Sequence, residues 1–156
     1  MHSISFGGRR RTRRPPHVVE VIVVAPAGNG MTRQGVFPAS RPRTALPFSP
    51  GIRFGNFVFT SGQVGTDAAG QVPPDVREQT RNCLDNIQAV LETAGTNMAH
   101  VLKTTVFLTD IQDFAAMNEV YRRAFSGDLP ARSTVEVSAL ARPELKVEIE
   151  AVAALP

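Results

Sequence analysis

The sequence predicts an α+β domain in which an antiparallel-rich sheet carries two helices on one of its faces. Three observations predict it. Strand-like and helix-like periodicities alternate along residues 31–156. Two segments near the C-terminus alternate polar and apolar residues with a period of two, as half-exposed strands do. Both helical segments are apolar along one stripe only, so each needs a sheet to cover that stripe. With 156 residues, 42% of them hydrophobic and 20% charged, the chain is long enough for one domain with its own core.

The elements follow in order. GNFVFTSGQ (55–63) reads as a strand from Phe57 to Thr60. A loop, TDAAGQVPP, comes next, punctuated by Gly70, Pro73 and Pro74. Asp75 with Glu78 three residues on forms an acidic capping signature. Behind it Val76, Thr80, Cys83, Leu84, Ile87, Val90, Leu91 and Ala94 recur at helical spacing until Gly95 closes the helix. Cys83 lies on that stripe and is expected to be a buried structural thiol. VLKTTVFL (101–108), rich in β-branched and apolar residues, reads as a strand. Asp110 caps a shorter helix with the stripe Phe114, Met117, Tyr121 and Phe125, ended by Gly127 and Pro130. Strands at 132–139 and 146–152 are joined by a turn in LARPE, and their closeness in sequence predicts an antiparallel hairpin.

The net charge of +3 is unevenly spread. Residues 1–30 hold five arginines against Glu20, whereas residues 31–156 hold twelve basic and thirteen acidic residues, a balance of −1. The body therefore has no electrostatic attraction to phosphate backbones, and no nucleic-acid partner is expected. Its one cysteine excludes an internal disulfide framework and a cysteine-rich zinc site. No apolar run approaches the ~18 residues of a membrane-spanning helix. Residues 1–30, with an Arg cluster, a PP breaker and a Gly-rich end, are expected to be an extension or a mis-assigned start with Met31 as the true initiator, a disordered tail being the other reading. Because residues 1–19 are Arg-rich and acid-free, a mitochondrial transit peptide is a second reading of that head, beside a cytoplasmic location.

Two charges are out of place. An arginine opens the strand in PARSTVEVS (130–138), and Glu148 sits inside KVEIEAVA (146–153). Strand parity puts Ser133, Val135, Val137 and Ala139 on one face, and Leu145, Val147, Ile149 and Ala151 on one face. If those apolar faces meet the helices, Arg132, Thr134 and Glu148 share the opposite, uncovered face. A guanidinium grips a carboxylate bidentately, and a neighbouring carboxylate orients or deprotonates water, a pair suited to hydrolysing a small anion. A bare polar sheet face or a cross-strand ion pair accounts for the same pattern.

Pro130, Arg132, Ser133, Val135 and Leu140, followed by Val147, Glu148 and Ile149, resemble the signature of the reactive intermediate deaminase A family, RidA or YjgF. GNFVFTSGQVG and VLKTTVFLTDIQDFAAMNEVY resemble that family's early strand and its middle strand and helix, so the likeness runs from about Val36 to the end. The resemblance implies a chorismate-mutase-like fold and a homotrimer with clefts between subunits, the uncovered sheet face packing around its centre. It implies hydrolysis of enamines and imines such as 2-aminoacrylate to 2-keto acids and ammonia, with no metal or organic cofactor. By that resemblance Arg132 holds the substrate carboxylate and Glu148 positions the attacking water. Ser61, Gly62 and Asn118 line the pocket, although turn and helix-surface roles explain Ser61 and Asn118 as well. The sequence departs from the family at two pocket positions: Phe48 stands where the archetype has tyrosine, and Thr134 where it has cysteine. Two further function classes remain, a non-catalytic ligand-binding trimer and an RNA-cleaving translation inhibitor. The body's −1 charge and its single histidine, His100, expected to be a surface loop residue, weigh against the latter.

Overall fold

In the computed structural model, which describes residues 32–41, 43 and 47–156, the elements run β1 (Gln34–Val36), β2 (Gly51–Phe54), β3 (Phe57–Thr60), β4 (Gln63–Val64), α1 (Val76–Ala94), β5 (Val101–Leu108), α2 (Phe114–Tyr121), β6 (Ala131–Glu136) and β7 (Val147–Ala154). The expectations placed on residues 1–30 lie outside the described residues. Local chemistry sets the ends of α1 as predicted, whereas Asp110 caps a 3-10 turn ahead of α2, and α2 stops at Tyr121, short of Gly127. The Asp75 carboxylate accepts from the Arg77 amide at 2.8 Å, and Gly95 closes α1 at φ 89°, where a side chain would be strained. A short 3-10 turn, Ile111–Asp113, leads into α2. Asp110 accepts from the Gln112 amide at 2.8 Å, and Glu136 on β6 accepts from that of Ile111 at 2.9 Å. His100 is half-buried in another 3-10 turn rather than lying on a surface loop.

The strand order is β1-β2-β3-β7-β5-β6, with β4 also pairing β7. Every pairing is antiparallel except β5 with β6. The predicted hairpin does not form. β7 enters between β3 and β5, and β6 lies parallel to β5 at the sheet edge, reached through α2. The reason is that β7 alternates strictly between buried and half-buried residues and has ladder partners on both edges, so it takes a central place. A connection long enough to hold a helix then permits the parallel pairing of β5 with β6.

Both helices pack on one sheet face. Ile87, Val90 and Leu91 of α1 and Met117 of α2 bury against Val58, Val106, Ile149 and Ala151. Cys83 belongs to this core, its thiol 3.6 Å from the Val147 carbonyl, and burial pushes its pKa far up. The opposite face is open, with Phe57 45%, Phe59 44% and Val135 44% exposed. Among the described residues no helix is long and apolar enough to cross a membrane.

Candidate active site

The first cluster is built by β6 and α2. Arg132 pairs across β5 with Thr104, which pairs in turn with core residue Ala151, so Arg132 projects to the helix-bearing side. There the Tyr121 hydroxyl and Thr104 Oγ1 lie 2.6 Å apart, anchoring the phenol ring. The Arg132 guanidinium carbon sits 4.6 Å from the centre of that ring and 5.6 Å from that of Phe114. Aromatic faces attract a guanidinium without consuming its in-plane N–H donors. The ion pairs among the described residues, Arg77–Glu119 and Arg142–Glu144, do not involve it. With Asn118, Tyr121, Arg122, Leu129 and Pro130 it lines a cleft of about 240 Å³. Burial raises the Tyr121 pKa, opposed by the Thr104 hydrogen bond and the Arg132 charge.

The second cluster forms where β7 changes partners. β3 pairs with its far end and β4 with its near end, and Ser61 and Gly62 fill the interruption. Ser61 Oγ donates to the Ser49 carbonyl at 2.7 Å, and its amide donates to the Pro50 carbonyl at 2.9 Å, tying down the segment that carries Phe48. Gly62 leaves room for Glu148, since a Cβ there would collide with the carboxylate. Helix α1 braces this turn, with Asn86 donating to the carbonyls of Val64 and Thr66 and Asn82 to that of Gly65. Partial burial raises the Glu148 pKa, with Glu150 adding to the shift.

The structure therefore corrects the parity argument. Glu148 pairs with Phe107, which pairs with Val135, and these residues lie on the open face, whereas Arg132 lies on the helix face. Arg132 and Glu148 of one chain are on opposite sides of the sheet. The error came from sending Ser133 and Val135 to the core, when both are exposed at the edge strand. Asn118 joins Arg132 in its cleft, and Thr134, two residues along, shares its face with Oγ1 buried and without a hydrogen-bond partner. Ser61 and Gly62 join Glu148. Phe48 is 48% exposed beside Ser49.

Residues 38–155 match the family described as endoribonuclease L-PSP. The chain belongs to that family. It is the YjgF/RidA family that the sequence resembles, and some of its relatives carry deaminase names while others are named only as RutC family proteins. A 2-iminobutanoate/2-iminopropanoate deaminase of Escherichia coli K12 is 42% identical over 116 residues, 72% of this chain and 90% of its own length. A RutC family protein of Pyrococcus abyssi is 43% identical over 125 residues, 79% of this chain and 98% of its own length. The crystal structure of E. coli TdcF with bound serine has a TM-score of 0.73 at 36% identity, covering 79% of this chain and 99% of that one.

In this RidA-family chain the aromatic seat of Arg132 escaped the sequence reading, which gave Tyr121 to packing alone. The signal was present: Phe114, Asn118 and Tyr121 fall within one helical stripe, and a polar residue in such a stripe marks a face that is not wholly core. Phe114, expected in the core, is 40% exposed for the same reason. No group of three or more histidine, cysteine, aspartate or glutamate side chains able to hold a metal gathers among the described residues.

Proposed function

We propose that the chain is a deaminase that hydrolyses 2-imino acids such as 2-aminoacrylate to 2-oxo acids and ammonia, acting as a cytoplasmic homotrimer. The observation that carries this reading is the Arg132 guanidinium, held over the rings of Tyr121 and Phe114 and lining a small cleft, with no ion-pair partner among the described residues. That presentation suits a planar carboxylate bound through two parallel hydrogen bonds. Since Arg132 and Glu148 of one chain are on opposite faces, the working site joins the arginine of one copy to the glutamate of another. Burial of the exposed Phe57, Phe59 and Val135 against a second copy favours such an assembly.

In the resulting cleft Arg132 holds the substrate carboxylate, an enamine such as 2-aminoacrylate reacts as its imine tautomer, and Glu148 accepts a proton as water attacks C2. The C=N electron pair moves to nitrogen. Glu148 then returns the proton to nitrogen, giving a carbinolamine, and ammonia leaves as the hydroxyl proton passes to nitrogen, the C–N bond breaks and the C=O bond forms.

The test is the decay of 2-aminoacrylate generated in situ by a serine or threonine dehydratase. The protein is expected to accelerate it, and Arg132→Ala to lower kcat/KM about 10²- to 10³-fold. No acceleration by folded wild-type protein would move the ligand-binding trimer to the front, a reading favoured by Phe48, whose ring has no hydroxyl for substrate or water.

A pH profile probes Glu148 separately. The group acts ionised and its pKa is raised, so activity is lost on acidification through a pKa above the ordinary carboxylate range. Glu150→Gln removes a neighbouring anion and is expected to shift the acid limb to lower pH. An unmoved limb would detach Glu148 from the rate.

A further inference from the structure

The cleft around Arg132 holds a second guanidinium that hydrolysis of a monocarboxylate does not use. Arg122 follows Asn118 by four residues, so the two lie on one helical stripe, and both line the cleft. No acidic residue is among the lining groups, and neither ion pair among the described residues involves Arg122. Its neighbour behaves differently: Arg123 helps Arg77 hold the Glu119 pKa down, and Arg122 has no part in that. With Arg132 the cleft of a single copy thus carries two positive charges; the Glu148 that a second copy brings is engaged with water at C2, so Arg122 is left to meet a further carboxylate.

From this we infer that the cleft takes 2-imino acids bearing a second, side-chain carboxylate, with Arg132 on the α-carboxylate and Arg122 on the other. The inference rests on the deaminase reading and narrows its substrate class. Monocarboxylic imines arise by elimination from hydroxylated amino acids as well as by oxidation of monocarboxylic ones. Dicarboxylic ones arise by oxidation of the Cα–N bond of acidic amino acids, and that reaction class would supply this cleft.

The test compares pyruvate with 2-oxoglutarate, stable oxo acids of the two classes, by titration calorimetry on the full chain. 2-Oxoglutarate is expected to bind about three- to fivefold more tightly, the effect of one partly exposed ion pair. Arg122→Gln is expected to erase the preference and Arg122→Lys to keep most of it. Equal affinities, a preference that survives Arg122→Gln, or binding of neither acid would overturn the inference.

A kinetic arm separates it from the reading beneath it. The decay of 2-aminoacrylate and of 2-iminoglutarate, each generated in situ, is followed by semicarbazide trapping. The dicarboxylate is expected to have the higher kcat/KM, through KM, and Arg122→Gln to lower that ratio. A 2-oxoglutarate preference with neither decay accelerated would remove the deaminase and leave the dicarboxylate cleft standing. Accelerated 2-aminoacrylate decay without that preference would do the reverse.

Discussion

Mixing Arg132→Ala subunits with Glu148→Gln subunits is expected to restore about a quarter of the wild-type activity that either variant alone lacks. The expectation follows from strand register. Arg132 is level with Thr104 and Ala151 on the helix side, and Glu148 with Phe107 and Val135 on the open side. A sheet lies between them, so a substrate small enough for the cleft cannot touch both groups of one chain. In a ring of three copies, each cleft takes an arginine from one subunit and a glutamate from the next. Any mixed ring then contains one intact cleft, and random mixing in equal amounts makes about three quarters of the rings mixed. Co-refolding followed by the 2-aminoacrylate assay reads the result, and native mass spectrometry verifies that mixed trimers formed. If mixed trimers form and activity stays at the level of the single variants, the shared cleft is wrong.

Gln79→Leu is expected to cost about 3 kcal/mol or more of stability while leaving side-chain volume nearly unchanged. Gln79 is fully buried on α1. Its Nε2 donates to the carbonyls of Pro73 at 2.8 Å and Glu144 at 3.0 Å, and its Oε1 accepts from the Lys146 amide at 2.8 Å. Leucine leaves those part-buried backbone groups without their partner, and each such loss costs about 1–3 kcal/mol where water does not take the place of the amide. A Cβ at Gly65 would collide with Gln79, so the residue also packs tightly against the turn behind β4. Because Glu144 and Lys146 lead directly into β7, the substitution loosens the strand that carries Glu148. Urea denaturation measures the loss. A change below about 1 kcal/mol would mean that water replaces the amide, and that Gln79 does not anchor β7.

How far these sites were legible depends on the range of the interaction involved. The bounds of β3, α1 and β5 were readable because capping, turn chemistry and side-chain period act within a few residues. Arg132 and Glu148 stood out for a similar reason, as charges interrupting strand patterns whose likeness to a family reaches over three separated blocks. The strands β1 and β4 were missed, being two or three residues long, and the four-residue β2 was missed because GIRF, with a glycine and an arginine, lacks the aromatic and β-branched run that marks FVFT in β3. Gln79 was also missed, since a glutamine that braces three distant backbone groups resembles any polar residue in a helix.

By itself the sequence determined the family, the α+β class, the capped helices and the residue types available for chemistry. Tertiary structure alone decided how those residues meet. It placed β7 between β3 and β5, put β6 parallel at the edge, and so turned Arg132 toward Tyr121 and Phe114 while Glu148 faced the open side. The physical reason is that parity orders side chains within one strand but carries no information about which strand lies beside it. Strand pairing is settled by hydrogen bonds and burial between segments far apart in the chain, and only those long-range contacts decide which face becomes the core.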